Sequence, residues 1–388
     1  MNPAQHRRLT DPEVPGLVLL LDDARLSRWL EQQGQQLLHR NYLRYKPGTS
    51  CVLGLRLASG WAFAVATSAA AEPKLKKLRD RSQNPHLLAV DGRRRLLLTA
   101  IWGDRDLPAL SDAPRVTSRL LPDLGPPQVR TIVYKPHRRW VASLEAAGSP
   151  GPVLLRAYRP QRAADAARRL KLARRSRPTR KAVQLPRLLG RSNRWGALAV
   201  EYVPGRTLQT ALQSGPVRAE LAAAGRALAT MHSQPPSEMP GADLADPAAT
   251  VGLVGAVLPH LRDRAAALLA SLAVGEPPAA EPALCHGDFS LDQVIVTPQG
   301  RLAFVDWDRG GAGTAADDLA SLVASGVEAA AVADVYDGYT QVRPLPEHLD
   351  WHIAQAKLRR LAEPFRTASI GWTVEVERRI QELEESWG

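Results

Sequence analysis

Cysteine is nearly absent. Cys51 and Cys285 are the only two among 388 residues, and they lie far apart. Two isolated thiols make no disulfide framework and lack the close spacing of a metal-ligand set, so a reducing compartment, the cytoplasm, is the expectation. Long apolar runs are missing too. Val14–Leu21 is broken by Pro15-Gly16 and followed at once by Asp22-Asp23, well short of the ~20 residues a membrane-spanning helix needs. The start of the chain also lacks the basic-then-apolar order of a secretion signal, and no membrane partner is expected. Aromatic residues make up only 5%, and acids are outnumbered by bases, 39 to 51, for a net charge of +12. What is present is 45% apolar and 23% charged, ordinary for a folded chain and long enough for two or three domains or one large bilobal one. Surplus positive charge favours anionic partners such as nucleotides. Much of it is local: residues 156–194 hold fourteen Lys or Arg against one acid, Asp165. Aromatic interleaving there is thin, so nucleic acid is not the expected partner.

Against this background one stretch, residues 281–320, concentrates acids beside short apolar runs. His286-Gly287-Asp288 precedes Val294-Ile295-Val296, and Leu302-Ala303-Phe304-Val305 leads into Asp306-Trp307-Asp308. Thr297-Pro298-Gln299-Gly300 between them is turn chemistry, which predicts two short strands joined by a tight turn. Such a hairpin brings Asp288, Gln293 and Asp306 towards one end. Two carboxylates and an amide oxygen suit a hard cation that prefers oxygen ligands.

The remaining patterns predict a sheet-rich first half and a helical second half. A helix is expected over Asp22–Leu38, from the spacing of Leu26, Trp29, Leu30 and Leu37. Strands follow at 42–45, 51–57 and 61–65, a short basic helix at Lys74–Leu78, and a strand at Arg95–Ile101. Pro114–Leu124 reads as a polar segment ending at Gly125-Pro126-Pro127. Tyr45-Lys46-Pro47 then returns as Tyr134-Lys135-Pro136, 89 residues later; the echo implies two similar hairpins, either a duplicated small lobe or two parts of one larger sheet. Strands at 131–134, 140–144 and 153–158, with a Gly/Pro linker at 148–152, precede a helix at Arg162–Arg175 and strands at Leu185–Leu189 and Ala197–Tyr202. Beyond Gly205 the expected helices are Leu208–Leu212, Arg218–His232, Leu253–Leu272, Asp317–Ala324, Glu328–Tyr339, Pro346–Pro364 and Thr373–Ser386.

The order His286-Gly287-Asp288, Gln293, a hydrophobic strand ending in Asp306, and Asp318-Leu319 resembles the aminoglycoside phosphotransferase and choline kinase group, small-molecule relatives of protein kinases. Gln293 stands where that group usually has Asn, as in its maltokinase-type sugar-kinase branch. The resemblance implies an α+β, protein kinase-like bilobal fold, with a mixed β-sheet N-lobe at 129–205 and a mainly helical C-lobe at 206–388. Residues 1–128 would add an α/β cap-like or duplicated small β subdomain. It implies an ATP- and Mg²⁺-dependent kinase acting on a hydroxyl of a sugar or aminoglycoside-like acceptor, a reaction that rests on positioning and charge neutralisation. Asp288 would be the catalytic base, Gln293 and Asp306 the metal ligands, and His286 a packing residue of the loop. Asp308 is either a further ligand or a surface charge, and Asp318 caps the helix from Leu319 or braces the loop. Glu201 and Val203, in the run Glu201–Gly205, would offer backbone to the adenine. Lys135, Arg138 and Arg139 would cover the phosphates, and Arg156 takes the place of the phosphate-gripping lysine. Arg is a rigid bidentate fork and Lys a point charge, so this is not a neutral exchange. No Glu partner for it is evident on the following helix, where Asp165 is the only acid. These departures keep a second reading open, a kinase-like nucleotide-binding protein with little or no turnover.

Overall fold

The echoed Tyr-Lys-Pro turns belong to two separate sheets of identical topology. In the computed structural model, which describes residues 9–80, 84–147, 151–236 and 238–387, helices α1 (Leu17–Leu21) and α2 (Asp23–Gln32) lead into strands β1 (Leu37–Lys46), β2 (Ser50–Leu57) and β3 (Gly60–Thr67). Helix α3 (Glu72–Arg79) and strands β4 (Leu87–Asp91) and β5 (Leu96–Ala100) complete the first unit. The second runs α4 (Pro108–Ser111), α5 (Ala113–Leu120), β6 (Gln128–Lys135), β7 (Arg139–Glu145), β8 (Val153–Tyr158), α6 (Pro160–Ala173), α7 (Arg177–Ala182), β9 (Leu188–Ser192) and β10 (Ala197–Glu201). Strand orders are β1-β2-β3-β5-β4 and β6-β7-β8-β10-β9, so the two sheets superimpose strand for strand in topology. All pairings in both are antiparallel.

The repetition reaches the turns. In the first unit Asp11 accepts from Tyr45 Oη at 2.7 Å and from the Gly48 N–H at 2.8 Å. In the second, Asp104 accepts from Tyr134 Oη at 2.9 Å and from the His137 N–H at 2.8 Å. Gly48 and His137 occupy equivalent places, and both are left-handed, at φ +65° and +60°.

Several sequence expectations need correction. The helix expected to Leu38 stops at Gln32, because Gly34 turns left-handed (φ +69°) and Leu37 opens β1. Pro114–Leu124 is largely helical: Val116, Thr117 and Leu120 of α5 are buried against the second sheet. Strand β4 and helix α7 were not expected, and β9 begins at Leu188 where the apolar run starts at Leu185. The Leu253–Leu272 helix is two, α10 (Pro247–Val257) and α11 (Arg262–Val274), divided at Leu258-Pro259 because proline cannot donate to a continuing helix. The Gly/Pro linker at 148–152 lies partly outside the described residues.

The helical half is built on α8 (Leu208–Ser214), α9 (Arg218–His232), α10 and α11. Strand β11 (Arg206–Thr207) joins the hairpin of β13 (Val294–Val296) and β14 (Leu302–Phe304), while β12 (Ala283–Cys285) pairs with β15 (Gly311–Gly313). The chain closes with α12 (Ala315–Ala324), α13 (Ala329–Thr340), α14 (Leu349–Arg360), α15 (Glu363–Arg366) and α16 (Trp372–Trp387). Glycines let α9 and α13 meet backbone to backbone: a Cβ on Gly225 would stand 1.9 Å from the Val335 carbonyl oxygen. The inner face of the first sheet shares one core with α10, α11, α14 and α16, including Leu53, Leu98, Leu358 and Leu383. Its other face, through Phe63 and Val65, packs with α4, α5 and the second sheet. The first unit thus bridges the second sheet and the C-terminal helices. No described helix is long and apolar enough to cross a membrane.

Candidate active site

The predicted hairpin is present, with Val294 opposite Phe304 and Val296 opposite Leu302. The Val305 N–H donates to the Gln293 carbonyl oxygen at 2.9 Å, which sets Gln293 and Asp306 on adjacent positions at one end of the hairpin. Asp306 is left-handed (φ +63°, ψ +54°), a conformation that costs a non-glycine residue energy.

The loop before the hairpin is braced by a buried acid. Asp318, fully buried, accepts from the His286 N–H at 2.6 Å, the Gly287 N–H at 2.8 Å and His232 Nε2 at 3.1 Å. It therefore braces the loop and does not cap the helix; α12 begins earlier, at Ala315, under a reciprocal cap of Thr314 and Asp317. His286 Nε2 meets the Val305 carbonyl oxygen at 2.7 Å and ties the loop to the hairpin. Gly287 is left-handed (φ +79°), and a Cβ there would come within 2.4 Å of the Arg309 carbonyl oxygen. Asp288 is left half-exposed beside Arg309 (3.6 Å) and Arg360 (3.8 Å).

A cleft of about 850 Å³ between the second sheet and the helical half gathers Asp288, Gln293 and Asp306 with Lys135, Arg139, Arg156, Glu201 and Val203. Of the phosphate, adenine and metal residues singled out from the sequence, only Arg138 and Asp308 are not in its lining. Its wall near Glu201–Gly205 is apolar, with Ile132, Val141, Leu154, Val200 and Ile295. Glu201 itself accepts from the Arg187 N–H at 2.9 Å and ion-pairs with that guanidinium. Gly205 is left-handed and sits so close to the Val296 carbonyl oxygen that no Cβ would fit.

The cations face the hairpin acids directly. Arg139 Nη1 donates to both Asp306 oxygens at 3.1 and 3.2 Å and to Asp308 at 3.2 Å. Arg156 donates to Asp306 and, at 3.1 Å, to Asp308, whose other oxygen accepts from Tyr158 Oη at 3.0 Å. Asp308 is thus neither free nor a surface charge but one member of a four-residue ion cluster with Arg139, Arg156 and Asp306. Burial alone would raise the Asp306 carboxyl, and the adjacent Arg156 and Arg139 more than offset it, holding the group well below the usual carboxylate range. Burial and Arg139 together lower Lys135. Asp165 on α6 is exposed; the acids that hold Arg156 come from the hairpin.

Many bases of 156–194 serve as braces rather than as a free basic face. Arg169 donates to the carbonyls of Gly241 (2.8 Å) and Gly310 (2.7 Å), Arg174 to that of Leu185, and Arg162 pairs with Asp243.

A model of the phosphotransferase enzyme family matches residues 138–352. The chain belongs to this family. The match begins inside the second sheet and leaves the first sheet out. A Thermobifida fusca structure, itself only provisionally assigned as a fructosamine-3-kinase, is 19% identical with a TM-score of 0.53, over 71% of this chain and 99% of that one. Spectinomycin phosphotransferase, solved with ADP and spectinomycin, is 11% identical with a TM-score of 0.52, over 72% and 97%. A choline/ethanolamine kinase family protein from Mesorhizobium loti is 17% identical with a TM-score of 0.50, over 71% and 94%. No curated protein matches in sequence. These likenesses establish the α+β bilobal, protein kinase-like fold, and the family makes the chain a phosphotransferase with an alcohol group as acceptor. Sequence reasoning missed Arg309, Arg359, Arg360 and Arg366, which also line the cleft. Arg309 directly follows Asp308 and was within reach of a motif argument; the other three sit on helices with no motif to mark them.

Proposed function

We propose that this phosphotransferase is an ATP- and Mg²⁺-dependent small-molecule kinase that moves the γ-phosphoryl group to a hydroxyl of a sugar or aminoglycoside-like acceptor. The observation that carries the reading is the gathering of Asp288, Gln293 and Asp306 in one cleft opposite Lys135, Arg139 and Arg156. The adenine would lie against the apolar wall, with the backbone at Glu201 and Val203 reading its edge. The bend at Gly205 and the turn at Lys135–Arg139 fix the two ends of that slot. Lys135, Arg139 and Arg156 would take the phosphate oxygens, to which guanidinium forks are well matched. Asp288 orients the acceptor hydroxyl and accepts its proton. The acceptor oxygen bonds to the γ-phosphorus as the bond to the bridging oxygen breaks, and that electron pair leaves on ADP. Residues 1–128 would act as a cap, 129–205 as the small lobe and 206–388 as the helical lobe.

The donor set fits Mg²⁺. Asp306 is held ionised, and Gln293 adds an amide oxygen on the adjacent position, the hard-oxygen chemistry this ion takes. Bound there, Mg²⁺ would supply neutralisation of the phosphate charge. Gln293 Nε2 donates to Asp292 at 2.8 Å, which leaves its Oε1 as the atom to face the ion.

One observation favours a second reading, a nucleotide-binding protein with little turnover: Arg139 and Arg156 already occupy both Asp306 oxygens. Under the kinase reading, incoming phosphates draw these guanidiniums off the carboxylate. ADP formation across a panel of sugars and aminoglycosides, with Asp288→Asn as control, decides between the two. Acceptor-dependent turnover that Asp288→Asn abolishes supports the kinase. Turnover that Asp288→Asn leaves intact sinks the mechanism, and ADP binding without turnover on any acceptor supports the second reading.

A further inference from the structure

The end of the cleft beyond Asp288 carries charge that the reaction above leaves unused. Arg309, Arg359, Arg360 and Arg366 line it. The carboxylates on that side are each already matched. Asp288 faces Arg309 and Arg360; Glu363 pairs with Arg360 at 3.1 Å; Asp317 pairs with His352 at 3.2 Å and Arg359 at 3.7 Å. Arg366 makes no ion pair among the described residues, and Arg359 Nε is buried with no partner. Burial and the like charges of Arg138 and Arg309 lower the Arg366 guanidinium, with Tyr42 and Glu363 opposing them. Surplus partly buried cations around open space are costly unless an anion arrives to meet them.

The first sheet holds this corner in place. Tyr45 packs edge-on against Phe365 with ring centres 6.4 Å apart, and Arg40 donates to the Ala368 carbonyl at 3.2 Å, so α15 and Arg366 are fixed from both sides. Arg138, which donates to Tyr42 Oη at 3.3 Å, leads in from the β6–β7 turn. The corner is thus lined by Arg309 after the hairpin and by α14–α15, with the first sheet packed behind α15.

We propose, on the basis of the kinase reading, that this end of the cleft binds an anionic group of the acceptor, so that the substrate is a hydroxylated phosphate or carboxylate and not a polycationic aminoglycoside. Asp288 receives the hydroxyl while Arg309 and Arg366 hold the anion. Arg359, with one guanidinium nitrogen unengaged, and Arg360 complete the cationic wall. The same charges would repel a cationic acceptor, which gives discrimination as well as affinity.

Calorimetric titrations with glucose, glucose 6-phosphate, gluconate and kanamycin, with ADP and Mg²⁺ saturating so that the nucleotide's phosphate positions are filled, test this. The expected result is that glucose 6-phosphate or gluconate binds at least tenfold more tightly than glucose, that kanamycin binds most weakly, and that the preference shrinks as salt is raised. Preference for the first of the two identifies a phosphate and for the second a carboxylate. Arg366→Ala and, separately, Arg309→Gln should remove the preference while ADP binding stays as in wild type, which also reports that each variant is folded; Arg366→Lys should recover part of it. Equal binding of neutral and anionic probes, tighter binding of kanamycin, or a preference unchanged in both variants overturns the proposal. Failure of ADP itself to bind would instead overturn the nucleotide reading, and the anion preference, measured without ADP, would stand or fall separately.

Discussion

The two five-stranded sheets have the same strand order, the same Tyr-Lys-Pro turn and the same aspartate pinning that turn, yet only one faces the cleft. The difference lies in a few side chains at matched positions. Ser50 stands where the second sheet has Arg139, and Val65, opposite Val52, stands where Arg156 faces Val141. Val65 is buried in the core between the sheets, whereas Arg156 reaches the hairpin acids. Apolar pairing and a pinned turn are enough to build the sheet twice. Two guanidiniums aimed at Asp306 and Asp308 tie one copy to the hairpin, and at the matching places Ser50 and the buried Val65 carry no charge towards it. Position in the molecule follows suit: the first sheet sets its inner face on the C-terminal helices, where the second sets its open side on the hairpin.

Four outcomes would sharpen or break this contrast. The largest belongs to the cleft that only the second sheet faces. Asp288→Asn should lower the rate of ADP formation by about 10²–10⁴-fold, the usual share of a positioned base, with folding unchanged by thermal melting; a rate within threefold of wild type would remove Asp288 from the chemistry.

Next come the two pinning aspartates. Asp104 is 2% exposed and holds Tyr134, the His137 N–H and the His137 ring, so Asp104→Asn should cost about 2–3 kcal/mol in urea unfolding, the range for hydrogen bonds to a buried charge. Asp11 is less buried and lacks a histidine partner; Asp11→Asn should cost about half as much and leave ADP affinity alone. Equal costs, or an ADP defect from Asp11→Asn, would mean the two turns are not used differently.

The third outcome is a pH dependence. The folded-state pKa of Asp306 lies below its unfolded value, burial being outweighed by Arg156 and Arg139. Its ionised form therefore contributes stability that is complete above about pH 4, the ordinary carboxylate value, and is lost as pH falls through the lower folded value. The stability difference between wild type and Asp306→Asn should shrink below about pH 4; a difference constant from pH 7 to 3 would contradict the ion cluster.

The smallest effect is at the turns themselves. Gly48 is left-handed with open space around it, so Gly48→Ala should cost about 1 kcal/mol from backbone strain alone. The second copy tolerates His137 at the same place because Asp104 holds both its ring and its N–H. A cost above about 3 kcal/mol would point to a packing role for the first turn.

Much of this was legible in the residues. The hairpin was readable because Pro298 and Gly300 punctuate two apolar runs, and the helices of the second half because their apolar spacing is regular, as with Leu221, Leu228 and Met231 of α9. The echo at Tyr45 and Tyr134 announced two related hairpins but not the full duplication, since Asp11 and Asp104 sit in dissimilar surroundings and only geometry reveals that they do the same work. Helix α5 hid because Pro114, Thr117 and Ser118 dilute its apolar stripe. Arg359, Arg360 and Arg366 could not be read as one corner with Arg309, because helix packing, and not spacing, brings them together. The partners of Arg156 were sought on α6 by analogy, and tertiary folding supplied Asp306 and Asp308 from 150 residues away.

The most direct test of the central claim, that a single copy with the hairpin forms the nucleotide site, is a calorimetric titration of ADP in the presence of Mg²⁺. The account predicts one site per chain, weakened at least tenfold by Asp306→Asn. Two sites per chain, or one that Asp306→Asn leaves untouched, would contradict it.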